Sequence, residues 1–437
     1  MPQGFKITDI LSPIPKSPFQ PLPLQPENKQ GANFQISKFS NSQIKMSLYS
    51  QRGVSAQKEE VHAAIQKLDQ GLYAHAFCKI YPDFLCNDEG YVNIMHADGA
   101  GTKSILAYLY WKETGDVSVW EGIAQDAVAM NLDDLLCVGV TDQLLFSSTI
   151  DRNKLRIPGE VLQAVINGTQ AFFDQLKTYG VNIHYLGGET ADVGDVVRTI
   201  AVNGTMTSRW PKEKLITNDK IAAGDVIVGF ASAGKAIYET AYNSGLGSNG
   251  LTSARHDVLA KHYATAYPET YETTLADEVV YIGKNHMTET LAVDGFGELS
   301  IGKLLLSPTR TYAPLVKQLL DGYFDQIHGM IHCSGGGQTK CMKYLPKPYK
   351  IIKDNLFVIP PIFNLIRKNS GADMREMYQV FNMGHRLEVF TDADSAKAMI
   401  EIAASLGIEA KVVGRVEAAD KASLHLHTSE GTITYEY

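Results

Sequence analysis

From Met46 onward, apolar and polar positions switch between two periods, and the switches mark out elements. "YVNIMHAD" (91–98) alternates as a short strand and runs into a glycine loop. "SILAYLYWKETG" (104–115) has helical spacing and a glycine stop. "WEGIAQDAVAMNLDDLLCVGV" (120–140) is apolar on nearly every side, which predicts a long, mostly buried helix. A strand follows in "DQLLFSSTI" (142–150), then a helix ending at Gly180. "VNIHYLGGET" (181–190) predicts a strand entering a Gly turn, and "RTIAVNGTMTSR" (198–209) alternates like a strand with one exposed face. "KEEVHAAIQKLDQGL" (58–72) predicts an amphipathic helix ahead of all these. Strands alternating with helices imply an α/β or α+β layer fold. "NDKIAAGDVIVGFASAG" (218–234) restarts the pattern with a polar turn and an apolar strand, Val226 to Ala231. That places a domain boundary near 210–220 and divides the chain into 46–215 and 216–437.

Composition changes this picture at the N-terminus. Residues 1–45 are rich in Pro, Gln, Ser and Asn and carry neither period, so they are expected to be a flexible extension. The 437-residue chain as a whole is 44% hydrophobic and 20% charged, and beyond this extension it suits two domains. A net charge of -8 without a basic run argues against nucleic acid as the main partner. No apolar run reaches the length of a membrane span, about 18 residues. The five cysteines are irregularly spaced and form no C-x-x-C pair, which fits free thiols in a reducing, cytoplasmic setting.

Four stretches could carry chemistry. In "HADGAGTKS" (96–104), Gly99 and Gly101 permit close backbone approach, and Thr102 and Lys103 open a helix whose N-terminus suits an anion. Lys103 could meet a phosphate, and Asp98 a Mg²⁺ bridging phosphates. The spacing matches neither G-x-x-x-x-G-K-[ST] nor G-x-G-x-x-G, so a tight strand-to-helix turn accounts for it equally well. In the long helix, Asp126 and Asp134 project from nearly one face, with Asp133 beside them; clustered buried acids call for a cation such as Mg²⁺, and a helix end or solvated face at Asp133 and Asp134 would read the same way. In "YLGGETADVGD", Glu189, Asp192 and Asp195 follow two glycines just past an expected strand end, where α/β folds place ligands. An acidic surface turn would read the same way. In "MIHCSGGGQTK", three glycines follow His332. "LGSNGLTSARH" offers Ser248, Asn249 and Gly250 to polar oxygens, and "LSPTRTY" offers Arg310 as a phosphate fork.

Taken in order, "HADGAGTKS", "DLL", "GGETAD", "GDVIVGFASAG", "GSNGLTSAR", "LLSPTRTY", "GMIHCSGGG", "MYQVFNMGHRLEV" and "VVGRVE" resemble the phosphoribosylformylglycinamidine cyclo-ligase family, the aminoimidazole ribonucleotide synthetases. The resemblance runs from about Arg52 to Glu417. It implies an α/β N-terminal domain, an α+β C-terminal domain, and a homodimer in which N-terminal strands build a shared barrel. It implies ATP and Mg²⁺ between the Gly loops. The implied reaction is ATP-driven ring closure of formylglycinamidine ribonucleotide to aminoimidazole ribonucleotide, ADP and phosphate. By position it assigns ATP contacts to Asp98, Gly99, Gly101, Thr102, Lys103 and Glu189, and metal binding to Asp98, Asp126, Asp134 and Glu189. It assigns substrate contacts to Ser248, Asn249, Gly250, Arg310, Gly335, Gly336, Gly337 and Asn382, and catalytic roles to Lys103, Asp134 and His332. Three departures stand out. Asp133 replaces the family's Asn, Leu246-Gly247 replace Pro-His, and Ser50 replaces a Lys. Lys58 and His256 are candidates to compensate for the lost cations. Other readings are another ATP-using member of the wider superfamily, or a nucleotide-binding paralogue without catalysis.

Overall fold

The computed structural model describes residues 47–436, apart from 56–59, 61–63, 65 and 66. The extension expected over 1–45 and seven of the fifteen positions of the helix expected over 58–72 lie outside the described residues; of the rest, Glu60 and Ala64 are helical and 67–72 are not. The first half is a five-stranded sheet in the order β1-β2-β5-β3-β4. Its strands are β1 (Ile80–Pro82), β2 (Tyr91–Gly99), β3 (Leu144–Arg152), β4 (Ile183–Asp192) and β5 (Ile200–Pro211). Only β3 and β4 run parallel. Period two is kept strictly in β3 and β5 and lapses toward the ends of β2 and β4. Val92, Ile94, Phe146, Ile150, Val202 and Met206 are buried, while Met95, Leu145 and Leu186 on the other face are exposed.

Helices α1 (Lys103–Thr114), α2 (Val119–Leu136) and α3 (Gly159–Lys177) accompany this sheet, with α2 packed on β2, β5 and α3. As expected, α2 is buried along nearly its whole length, including Asp126, Asn131, Asp133 and Asp134. A helix with no polar face can hold acids only where other groups bond them.

The second half is a seven-stranded mixed sheet. It is built from β6 (Val226–Ala231), β7 (Gly329–His332), β8 (Tyr349–Lys353), β9 (His385–Thr391), β10 (Ala410–Ala418), β11 (Ser423–Thr428) and β12 (Gly431–Glu436). The spatial order is β7-β9-β6-β10-β8-β11-β12. Helix α4 (Leu251–Val258) faces back toward the first half. The segment at 47–55 is tied to α4 by Arg52, whose Nη1 reaches Asp257 Oδ1 at 2.5 Å.

Beneath the second sheet, Lys353 Nζ lies 2.5 Å from Glu388 Oε1, with neither side chain exposed. His385 Nε2 lies 2.8 Å from the same oxygen. Burial alone would push the Glu388 carboxyl up, but the Lys353 ammonium and the His385 imidazole outweigh it and hold it down at about 2. A depressed acid pKa contributes stability that is present above the ordinary value of 4.5 and lost as pH falls toward 2. Wild-type protein should therefore lose melting temperature steeply over that window, and Glu388→Gln should flatten the slope. An equally steep acid slope in the variant would remove Glu388 as its source.

Candidate active site

β2 delivers the chain to Asp98, and the backbone turns at Gly99 and Gly101 into α1. A β-carbon on Gly99 would run into the Asn203 side chain and sit 2.7 Å from Val202 O, so the corner can lie against β5 only as glycine. Gly101 has φ +55°, the left-handed region that favours glycine. The exposed Asp98 carboxylate accepts from Gly99 N at 2.7 Å. Asn131 in α2 donates to Asp98 O at 3.1 Å and so holds the corner from below. Thr102 Oγ1 lies 2.9 Å from Thr252 Oγ1 at the start of α4, which joins the corner to the second half. Beside it opens a cavity of about 370 Å³, walled by Gly101, Thr102, Arg198, Thr199, Arg255 and Tyr271. Glu269 and Glu272 line it as well, and Arg198 pairs with Glu272 at 2.7 Å, so the start of α1 and Arg255 are what would suit an anion there.

Lys103 does not face that cavity. Its side chain is fully buried, with Nζ 2.8 Å from Asp126 Oδ1 and 2.6 Å from Ser307 O. Thr309 donates to the same Asp126 oxygen through N at 2.7 Å and Oγ1 at 2.6 Å. Burial lowers the Lys103 pKa, and the Asp126 charge opposes that shift. Lys103 and Asp126 thus neutralise each other inside the protein, which corrects their assignments to phosphate and to metal.

The proposed metal set is not assembled either. Asp126 and Asp134 are eight residues apart on one helix, about 12 Å along its axis. The paired strands place Asp98 in one cross-strand row and Glu189 in the next, on opposite faces and three strand spacings, about 14 Å, apart. Glu189 is also not past a strand end. β4 runs on through Gly187-Gly188 to Asp192, and Gly188 packs against Ser148 O at a break in register. The two glycines form a bulge where a turn was expected. Asp192 pairs with Arg152 at 2.7 Å. Among the described residues, no group of three or more His, Cys, Asp or Glu side chains could hold a metal ion.

Asp134 instead joins the two halves. Its Oδ1 accepts from His332 Nδ1 at 2.6 Å, and its Oδ2 lies 3.1 Å from His96 Nε2. Burial would raise the Asp134 pKa, but the bonds from His332 and His96 outweigh it and hold the carboxyl well below its usual range. For His96, burial lowers the pKa, and the stronger pull of Asp134 raises it. Arg386 Nε donates to His332 Nε2 at 3.1 Å. His332 is wholly buried between Asp134 and Arg386, so it braces the site and does not reach into a cleft.

The loops of the second half do gather beside this point. Ser248 Oγ is 3.1 Å from Thr309 Oγ1. Gly250, at φ +77°, begins α4 against the Phe381 ring. A β-carbon on Gly335 would lie 3.4 Å from Asn249 Oδ1, so the Ser-Asn-Gly and triple-Gly turns touch. Gly336 and Gly337 carry positive φ, and Gly337 packs on Phe381 O and Tyr378 O.

Arg310 is buried, forked onto Glu239 at 3.0 and 2.5 Å, with Nη1 on Ala231 O and Ala233 O at 3.0 Å. That uses the guanidinium internally and corrects its assignment to a substrate phosphate. Asn382 is likewise committed, accepting from Ser232 Oγ at 2.7 Å and donating to Gly245 O at 2.8 Å. It shapes the loops and is not free to contact a substrate.

Arg386 also accounts for two departures from the family pattern. A β-carbon on Gly247 would sit 2.9 Å from its Nη1, so the guanidinium takes room that a larger residue there would need. Its Nη2 lies 3.8 Å from Asp133 Oδ2 and opposes, without cancelling, the upward push of burial on the extra acid. His256 is buried in α4 and accepts from Tyr281 N at 3.1 Å, so it replaces no lost ligand, and Lys58 lies outside the described residues. Sequence reasoning missed His96, Asn131, Thr252, Arg255 and Arg386. Two of them left a signal. His96 shares the face of Asp98 at strand spacing, and Asn131 is polar within an apolar helix.

Residues 81–210 match the family description "AIR synthase related protein, N-terminal domain", and residues 222–427 match its C-terminal domain. Fold and matched halves define the class as the two-domain AIR synthase related proteins. The phosphoribosylformylglycinamidine cyclo-ligase of Pyrococcus furiosus is 30% identical over 306 residues, spanning 70% of this chain and 73% of that one. The protein of the same name from Methanocaldococcus jannaschii is 28% identical over 326 residues, 75% of this chain and 78% of that one. The chain belongs to the phosphoribosylformylglycinamidine cyclo-ligase family. Among solved structures, a chain of the HypE–HypF complex has the same fold, with a TM-score of 0.50 and 16% identity over 88% of this chain and 99% of that one.

Proposed function

We propose that this protein is an ATP-dependent cyclo-ligase that closes the imidazole ring of formylglycinamidine ribonucleotide, giving aminoimidazole ribonucleotide, ADP and phosphate. The observation that carries the reading is the meeting of the Asp98–Thr102 corner with Thr252 at the cavity by the start of α1, next to the Ser-Asn-Gly and triple-Gly turns. The chemistry needs phosphates held at one loop and the formyl amide at another, close enough for the γ-phosphoryl group to pass to the amide oxygen. The amidine nitrogen then attacks the activated carbon, and phosphate leaves with that oxygen. Backbone amides and fixed dipoles aimed at developing charge can supply much of the acceleration.

Asp98 is the exposed carboxylate at the corner and would hold Mg²⁺, which commonly uses one or two carboxylates plus substrate phosphates. A single such acid fits that mode. Bound there, Mg²⁺ would neutralise phosphate charge. Gly99, Gly101 and Thr102 would line the phosphates, and Ser248, Asn249, Gly250 and Gly335 to Gly337 the substrate. Met95, Leu145 and Leu186 on the open face of the first sheet support a homodimer closed through that face. No helix of the described residues is long and apolar enough to cross a membrane.

The test supplies ATP, Mg²⁺ and formylglycinamidine ribonucleotide to the purified protein, sizes it by light scattering, and follows aminoimidazole ribonucleotide with ADP. Ring-closed product in step with ADP is expected from a dimer. Nucleotide binding without product would favour a non-catalytic paralogue, and a monomeric mass would remove the dimer.

A further inference from the structure

One run of buried polar side chains passes beneath every loop named above and crosses from one half to the other. It begins at Asp98 O, which takes Asn131 Nδ2 at 3.1 Å. Asn131 Oδ1 lies 3.2 Å from His96 Nδ1. Because Asn131 Nδ2 also donates to Ala127 O at 2.9 Å, the orientation of its amide is fixed. His96 leads to Asp134, Asp134 to His332, and His332 to Arg386. Arg386 then donates to Arg310 O, beside Thr309, and packs its Nη1 against Gly247. His332 is followed by Cys333 and Ser334 and then the triple-Gly turn, and Cys333 N bonds Arg386 O at 2.6 Å.

Asn131, Asp134, His332 and Arg386 are each less than a tenth exposed. Burying this many polar groups where apolar ones would pack costs free energy unless every bond is kept, and apolar replacements are often as stable. Such a network gains most where it fixes one arrangement of the parts it joins. We infer that this chain makes the Asp98 corner, the triple-Gly turn and the Ser-Asn-Gly turn a single positioning unit, so that loosening one loosens the others. Asn131, His96, His332 and Arg386 are its positioning residues. The inference rests on the proposed function only in naming what the loops hold.

The test is hydrogen exchange on the free full-length protein, which needs neither nucleotide nor substrate. A failed turnover assay therefore leaves its outcome intact. Losing one buried hydrogen bond of ordinary strength corresponds to about tenfold faster opening. His332→Gln, a change in the second half, is expected to speed exchange across 97–104 in the first by about that factor. Asn131→Leu is expected to do the same across 333–340, since coupling between two sites is reciprocal. Ile351→Val, a core change in the second sheet, should leave 97–104 unchanged. If each variant's effect stays within its own half, or if Ile351→Val loosens 97–104 equally, the unit does not exist. Should Asn131→Leu fail to fold, Asn131→Ser gives the same reading with less bulk.

Discussion

Lys103→Met should cost the fold about 3–5 kcal/mol, the usual penalty for stranding one partner of a buried ion pair. Lys103 and Asp126 are both fully buried, and Asp126 Oδ2 has no protein partner at all. Without the ammonium, the Asp126 carboxylate keeps only the Thr309 N–H and hydroxyl on its other oxygen. The same pair ties α1 and α2 to the 307–309 segment of the second half, so the loss falls on the join between halves. Thermal melting should show a drop of about 3–6 °C for a chain of this size. Lys103→Met combined with Asp126→Leu should recover much of it, because removing both charges also removes the desolvation they incurred. The competing view, Lys103 as an exposed phosphate ligand, makes the opposite forecast. Stability would then hold in Lys103→Met while nucleotide affinity collapsed, and that pattern would return Lys103 to the site.

Why a Lys in a Gly loop reads as a phosphate ligand from sequence is clear, and so is why the reading fails. The type and spacing of residues fix the strand, the turn and the helix start, and all three were legible. Which way the Lys side chain leaves the helix depends on Asp126 and on Ser307, 204 positions further along. No local pattern contains that contact. Asp126 and Asp134 show the same limit. Periodicity put both inside an apolar helix, which is right, but it could not say that one meets an ammonium and the other two imidazoles. The Gly187-Gly188 pair failed for a different reason. Two glycines punctuate a turn and a strand bulge alike, and only the pairing of β4 with β3 tells them apart. The forked guanidinium of Arg310 binds a carboxylate as its chemistry suggests, but that carboxylate is Glu239. By contrast, the strand and helix succession and the restart at Val226 follow from short-range signals, whereas no local pattern contains the contact of the Ser-Asn-Gly turn with the triple-Gly turn.

The two acids left at the centre of the site, Asp98 and Asp134, should separate under mutation. Asp98 is exposed at the corner, where a metal held with phosphates can reach it. Asp134 has both oxygens bonded to imidazoles and is buried. In the proposed reaction, Asp98→Asn should raise the Mg²⁺ concentration needed for half-maximal turnover by about 10–100-fold, as losing a charged ligand weakens a cation site built from few carboxylates. Asp134→Asn removes the charge that orients His332 and His96 but removes no metal ligand. Its turnover should fall by about 10–100-fold at saturating Mg²⁺, the range seen when a group that orients site residues is lost. Its half-saturating Mg²⁺ should stay within about twofold of wild type. A Mg²⁺ titration of turnover in the two variants decides the matter. If Asp134→Asn moves the Mg²⁺ midpoint as far as Asp98→Asn does, then Asp134 must leave His96 to bind the ion, and its place is in the metal shell. If neither midpoint moves, the metal lies elsewhere than at this corner.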